Sequence, residues 1–199
     1  QPSFLGRLGV PFTFGPVGGG EQVPLRLRFG FSLRGWAGEL LRDSVNALAC
    51  YDPFLRRTFR DASKIYVTSV ETKGFVPKIH WAKTAIALAI GVDALPSVTD
   101  SFEDAKLQNG LRILYVGHFL DLKGMHLGLP AFAALCQVDS NARLTLIGEG
   151  SSAGRWVRQA QRLGIADRVD WHGWMPQAKL LAIYGQHDVL LFPSLRDSG

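Results

Sequence analysis

Residues 111–150 constrain this chain most: LRILYVGHFLDLKG followed by MHLGLPAFAALCQVDSNARLTLIGEG. Leu111, Ile113, Leu114, Tyr115 and Val116 make a compact run of apolar, β-branched and aromatic side chains, closed by Gly117. That is the pattern of a strand buried on both faces. A loop carrying Lys123 and Gly124 follows, then an Ala-, Leu- and Phe-rich stretch of helical character. A second apolar run over residues 144–147 ends in Gly148, Glu149 and Gly150. Two short apolar strands around a helix, each closing on glycine, describe a βαβ unit of a parallel sheet. Ligands of such sheets bind beyond the carboxyl ends of the strands, so both glycine loops are expected to face one crevice.

The alternation continues to the end of the chain. The pattern predicts a helix over residues 124–136, a strand over 143–147 and a helix over 151–163 with Trp156, Val157, Ala160 and Leu163 on one face. A strand over 168–171, a helix over 176–184 with proline at its first turn and a strand over 188–192 follow. Because interior proline costs a helix roughly 3 kcal/mol, Pro130 predicts that the first of these helices becomes regular only near Leu129.

Upstream, residues 8–14 read as a strand entering the loop Gly15, Pro16, Val17, Gly18, Gly19, Gly20, Glu21. Three successive glycines suit close backbone approach to a ligand or positive φ, and equally a plain structural turn. The loop is neither a dinucleotide fingerprint nor a Walker A loop, since no Lys-Ser/Thr follows. Residues 33–60 are helix-compatible, with Trp36, Leu40, Leu41, Val45 and Leu48 at helical spacing, and Pro53 divides them into two helices. Residues 64–69 (KIYVTS) are a strand, after which Ser69 or Thr72 can cap a helix. The run at 84–92 suits strand and helix alike. Proline, serine and acidic residues at 94–109 mark a boundary, giving domains over 1–95 and 110–199 and a linker over 96–109.

At 199 residues and 47% hydrophobic, the chain has material for a real core. It lacks the ~18 consecutive apolar residues of a transmembrane helix and the charged-then-apolar start of a signal peptide, so a cytoplasmic place is expected. Cys50 and Cys136 lie far apart in helical segments and read as buried thiols in a reducing compartment. The net charge of +5 is uneven: twelve Lys and Arg face eight Asp and Glu in residues 1–100, and ten face nine in 101–199. Arg26, Arg28, Arg34, Arg42, Arg56, Arg57, Arg60 and Lys64 suit anionic lipid headgroups or a phosphorylated acceptor, or else a solvated helix face. Nucleic acid is disfavoured, because no basic cluster is interleaved with aromatics. The chain starts without Met and stops after a strand whose next crossover is missing. Truncation at both ends is therefore expected, with little or no turnover by residues 1–199 alone.

Several residues carry candidate chemistry. A strand-to-helix loop offers backbone N–H groups and a positive dipole end, so phosphate is its natural guest. There Lys123 either neutralises the β-phosphate of a nucleotide leaving group or is an exposed helix-start lysine. His118 donates to the same phosphate or has a capping or surface role. Glu149 touches a ligand or turns the chain, and Asp197 binds hydroxyls or caps a helix.

The order G-H-F-L-D-L-K-G, L-T-L-I-G-E-G, R-V-D-W-H-G-W and L-L-F-P-S-L-R-D-S-G resembles the nucleotide-binding domain of GT-B-type retaining glycosyltransferases over residues 111–199. These are glycosyl transferases of group 1, family 4-like. F-G-P-V-G-G-G-E, S-V-E-T and G-V-D at 91–93 resemble the acceptor-side domain and crossover of a bacterial subgroup. The resemblance implies an α/β chain of two Rossmann-like parallel-sheet domains, both incomplete. It also implies transfer of a sugar from a nucleotide-diphosphate donor to an acceptor hydroxyl with retained configuration, without metal or other cofactor, in cell-surface polysaccharide or glycolipid synthesis. The donor site implied is Gly117, His118, Lys123, Gly148, Glu149, Gly150, His172, Ser194 and Asp197, with Lys123 and Asp197 as its catalytic members. Lys123 would grip the diphosphate, Asp197 hold sugar hydroxyls, and residues 172–174 lie where the family packs its nucleobase. Gly18, Gly19, Gly20 and Glu21 would face the cleft from the acceptor side. The partners implied are a nucleotide-sugar donor and a sugar or lipid-linked acceptor, with no nucleic acid, and the basic first half suits peripheral contact with the inner face of an anionic membrane.

The chain departs from the family's pattern in three places. His118 stands where the family has Arg, which implies weaker or more pH-dependent donor affinity. Ile90 stands where Asn precedes G-V-D. Asp197 stands in place of the first Glu of an acidic pair whose second member falls eight residues later, beyond Gly199. The competing reading is a non-catalytic Rossmann-like nucleotide-binding or interaction module. An NAD-dependent oxidoreductase is disfavoured, since no strand is followed by G-x-G-x-x-G.

Overall fold

A computed structural model describes residues 2–88 and 110–196. Contacts divide the chain into two compact units: Gln1–Pro24, Trp36–Ser97 and Arg196–Gly199 in the first, Leu25–Gly35 and Val98–Leu195 in the second. The expected linker over 96–109, Ile90, the G-V-D motif and Asp197 lie outside the described residues.

The first unit is built on a parallel sheet of β1 (Thr13–Val17), β2 (Lys64–Val67) and β3 (Thr84–Ile86), in that order. The run at 84–92 thus resolves to strand at its start. The strand expected over 8–14 lies later, because Leu5–Leu8 close into a 3-10 turn. Between β1 and β2 run α1 (Leu33–Ala49) and α2 (Pro53–Asp61), parted where Pro53 requires. Asp52 caps α2, accepting from the N–H groups of Phe54 (2.8 Å) and Leu55 (3.3 Å), with Pro53 in the first-turn position where its missing donor costs nothing. Ser69, not Thr72, caps α3 (Val70–Gly74), accepting from Thr72 N–H at 3.0 Å. Phe59, Ala62, Ile65, Val67 and Val76 form the core of this unit.

α1 corrects the amphipathic expectation. Leu40, Leu41, Val45 and Leu48 are exposed, whereas Glu39 is buried and ion-paired with Arg196 at 2.8 Å. Polar side chains hold the helix: Arg42 donates to the carbonyls of Glu21 and Gly19 (both 2.7 Å), and Asn46 to Gly19 O (3.0 Å). Cys50 is corrected too. It lies in the turn after α1 and is exposed, while Cys136 is buried, and both are free thiols.

The second unit carries β4 (Arg112–Val116), β5 (Arg143–Ile147), β6 (Val169–His172) and β7 (Val189–Leu190), all parallel, in the order β6-β5-β4-β7. β7 is shorter than the 188–192 expected. The crossovers hold α4 (Met125–Leu135), α5 (Ala153–Arg162) and α6 (Gln177–Tyr184). Leu144 and Leu146 of β5, Leu129 and Phe132 of α4 and Trp156 and Ala160 of α5 share one buried cluster with Tyr115 and Phe119.

Pro130 does not delay α4, which is helical from Met125. Proline leaves the carbonyl four residues earlier without its helical donor. That carbonyl belongs to His126, and it accepts instead from Gln159 Nε2 of α5 at 2.9 Å. The tertiary bond replaces the helical one.

The segment Leu25–Gly35 packs within this unit. Arg28, one of the basic residues of the first half, is buried there rather than presented on a cationic face. The His126 ring is buried with the rings of Phe29 and Phe31 edge-on at 5.4 and 5.6 Å, and Nε2–H donates to Leu27 O at 3.0 Å. Burial pushes His126 below its ordinary value of 6.5, and the bond to Leu27 O only partly opposes this. The folded chain therefore holds this proton less tightly than the unfolded chain, so stability is complete above about pH 6.5 and falls as pH drops below it through the depressed folded value. We expect a lower urea midpoint at about pH 5.5 than at about pH 7.5, with the difference reduced in His126→Gln. Equal midpoints would contradict this.

Candidate active site

Strand order locates the crevice of the second unit. From β4 the chain moves through β5 to β6 on one side, then returns to place β7 on the other side of β4. The order reverses between β4 and β7, and a crevice opens at the carboxyl ends of strands where it does so.

Two loops leave this edge side by side. Gly117 N–H donates to Ile147 O (3.0 Å), Phe119 N–H to Glu149 O (2.8 Å) and Ser152 N–H to Phe119 O (2.8 Å), so the pairing of β4 with β5 continues into the loops. Gly148 has φ of 142°, and a side chain there would run into the Gly117 carbonyl. This glycine is needed for loop to lie on loop. Gly148 N–H donates to His172 O (3.1 Å), and the Glu149 carboxylate accepts from Trp174 N–H (3.2 Å). Gly117, His118, Gly148, Glu149, Gly150 and His172 are thus brought together at the ends of β4, β5 and β6. His118 is exposed, and the indole of Trp174 is 72% exposed beside Glu149.

The lysine lies at the point of reversal. Asp121–Lys123 form a 3-10 turn, closed by Lys123 N–H to Leu120 O (3.0 Å) and Gly124 N–H to Asp121 O (3.1 Å). Gly124 has φ of 71°, which favours glycine, and a side chain there would strike the Pro193 carbonyl. The chain leaving β7 runs against this turn. Leu195 N–H donates to Leu122 O (2.9 Å), and Lys123 Nζ lies 5.7 Å from the centroid of the Phe192 ring. Lys123 therefore adjoins the segment that holds Ser194, and α4 begins two residues beyond it. The position of Asp197 is outside the described residues.

Sequence reasoning passed over Asp121, whose side chain is 9% exposed and ion-paired with Arg155. Its Oδ2 accepts from Ser32 N–H (2.9 Å) and Ser32 Oγ–H (2.7 Å), and its Oδ1 from Ser152 Oγ–H (2.6 Å). Arg155 also donates to Gly30 O (2.8 Å) and Ser152 Oγ (3.0 Å). The one signal for it was its place two residues before Lys123.

The glycine loop of the first unit has its own fastenings. Gly19 N–H donates to Glu21 Oε2 (3.2 Å), Gly20 N–H to Thr72 Oγ1 (3.0 Å) and Thr72 Oγ1–H to Glu21 Oε1 (3.2 Å). Burial alone raises the Glu21 carboxyl, but hydrogen bonds from Ser69, Thr72 and the backbone outweigh it and hold the group below its ordinary value. Of the two side chains that bind this loop, Thr72 closes the S-V-E-T stretch, whereas Arg42 carried no motif.

The family model of glycosyl transferases group 1 matches residues 98–199. The chain belongs to this family. Among curated relatives of this group 1 glycosyl transferase is D-inositol 3-phosphate glycosyltransferase of Segniliparus rotundus, 32% identical over 90 residues, which are 43% of this chain and 20% of that protein. Among solved structures, trehalose-6-phosphate synthase OtsA matches with a TM-score of 0.56 at 20% identity, covering 76% of this chain and 43% of that one. Anabaena HepE in complex with UDP matches with a TM-score of 0.51 at 15% identity, covering 73% of this chain and 44% of that one. The chain thus spans less than half the length of each. With its two parallel sheets, the group 1 chain has the GT-B fold. No helix among its described residues is long and apolar enough to cross a membrane.

Proposed function

We propose that this group 1 glycosyl transferase moves a sugar from a nucleotide-diphosphate donor to an acceptor hydroxyl with retained configuration. The observation that carries the reading is the Lys123 turn at the reversal between β4 and β7, against the chain segment that leaves β7 through Phe192 and Leu195. Lys123 and the start of α4 stabilise charge developing on the departing diphosphate, the task at which fixed electrostatics contributes most. Gly117 and His118 line the phosphates with Gly148, Glu149 and Gly150. His172 and the exposed indole of Trp174 flank the nucleobase, and Ser194 and Asp197 hold sugar hydroxyls. Gly18, Gly19, Gly20 and Glu21 serve the acceptor. The donor is itself the leaving-group carrier, so the reading needs no cofactor or metal. It fits synthesis of a bacterial cell-surface polysaccharide or glycolipid on the cytoplasmic side, with a sugar or lipid-linked acceptor and peripheral contact with anionic membrane. The UDP bound by HepE and the glycosyl transfer named for the Segniliparus relative support the donor class.

Calorimetric titration of the chain with UDP, GDP, ADP and NAD tests the donor class. The expected result is binding of at least one diphosphate, weakened by added salt because the contact is between charges, and no response to NAD. Binding of NAD with no response to any diphosphate would reverse the assignment.

A further inference from the structure

We infer that Asp121 is a positioning residue that sets the Lys123 turn for the donor's β-phosphate; the inference rests on the donor reading above. Asp121 opens the 3-10 turn that Lys123 ends. Its carboxylate is held from two sides: by Ser32 N–H and Oγ–H on Oδ2, and by Ser152 Oγ–H with Arg155 on Oδ1. Ser32 Oγ in turn accepts from Gly35 N–H (3.0 Å) in the first turn of α1, and Arg155 also donates to Gly30 O. The carboxylate therefore ties two separate stretches of the second unit, around Ser32 and around Ser152, to one end of a three-residue turn.

The other end has its own restraints. Leu122 O accepts from Leu195 N–H, and Gly124 lies against the Pro193 carbonyl. A lysine has a flexible four-carbon stem and a compact charge, so the turn must supply its aim. Asp121 has no spare role at the phosphates. Its charge is matched by Arg155, and an anionic ligand would repel it. What it does is keep the backbone under Lys123 in one geometry. Preorganisation of this kind acts on the group that Lys123 meets and leaves contacts elsewhere on the nucleotide unchanged.

The test uses the whole chain and whichever of UDP, GDP or ADP it binds best, together with the matching nucleoside monophosphate, which lacks the β-phosphate. Asp121→Asn keeps the shape and removes the charge that Arg155 pairs with. The expected result is diphosphate binding weakened about tenfold, monophosphate binding within about twofold of the parent, and no further loss when Asp121→Asn is added to Lys123→Ala, since the two act through one contact. Ser152→Ala, which removes a single donor from Oδ1, is expected to show the same selective loss at smaller size and serves if Asp121→Asn does not fold. Equal losses for mono- and diphosphate would make Asp121 merely structural and overturn the inference. Additive losses in the double variant, or unchanged diphosphate binding in Asp121→Asn, would also overturn it while leaving the donor reading intact. A parent chain that binds no diphosphate removes that reading, and this inference with it.

Discussion

Lys123→Ala is expected to weaken nucleoside diphosphate binding by roughly 10- to 100-fold, because a hydrogen bond to a charged partner contributes about 1.5–3 kcal/mol and tenfold corresponds to about 1.4 kcal/mol. Lys123 is partly exposed, and its Phe192 contact at 5.7 Å is a cation–π pair, by itself about 0.5–1 kcal/mol in such a setting. A thermal melt recorded beside the titration separates lost affinity from lost stability. Calorimetry with the preferred diphosphate, alongside a thermal melt, checks both. An affinity within about twofold of the parent, at unchanged melting temperature, would remove Lys123 from the phosphate.

Trp156→Ala is expected to cost the second unit about 3–5 kcal/mol, the range for deleting a large buried aromatic side chain. Trp156 is 2% exposed and makes ring contacts with Phe119 at 4.9 Å and Tyr115 at 5.9 Å. A domain's whole stability is about 5–15 kcal/mol, so the loss should be plain in urea unfolding followed by circular dichroism. It should also reach the site. Phe119 lies in the loop after β4 and bonds through its backbone to Glu149 and Ser152, so a cavity beneath its ring loosens both glycine loops. Leu40→Ala on the exposed face of α1 is the matched control, with an expected change within about 0.5 kcal/mol. A loss below about 1 kcal/mol for Trp156→Ala would mean that the site collapses around the cavity, or that the ring is not packed as described.

Much of the candidate site was legible because its signals are local. Gly117 closes a run of five apolar positions and Gly148 closes another. Lys123 and Gly124 stand where a strand gives way to a helix. Each reading needs only neighbours in the chain. The role of a glycine was less legible than its place: Gly148 was read as room for a ligand, whereas its hydrogen is also what lets the loop lie on the Gly117 carbonyl. The exposed apolar residues of α1 show the same limit from the other side. Their periodicity was real, but periodicity reports that a helix has an apolar face and not which face is covered.

By itself the sequence determined the alternation of strands and helices, the break at Pro53, a cap at Ser69 or Thr72, and the family that the order of motifs resembles. All of these follow from side-chain spacing and backbone chemistry over a few residues. Only the tertiary structure decided that β7 lies beside β4, so that the order reverses at the Lys123 turn. It also decided that Gln159 relieves Pro130 and that Ser32 bonds Asp121 across 89 residues of chain. The physical reason is common to these cases. A hydrogen bond between distant residues needs one donor and one acceptor in the right place, and neither leaves a period or a spacing in the sequence from which its partner can be found.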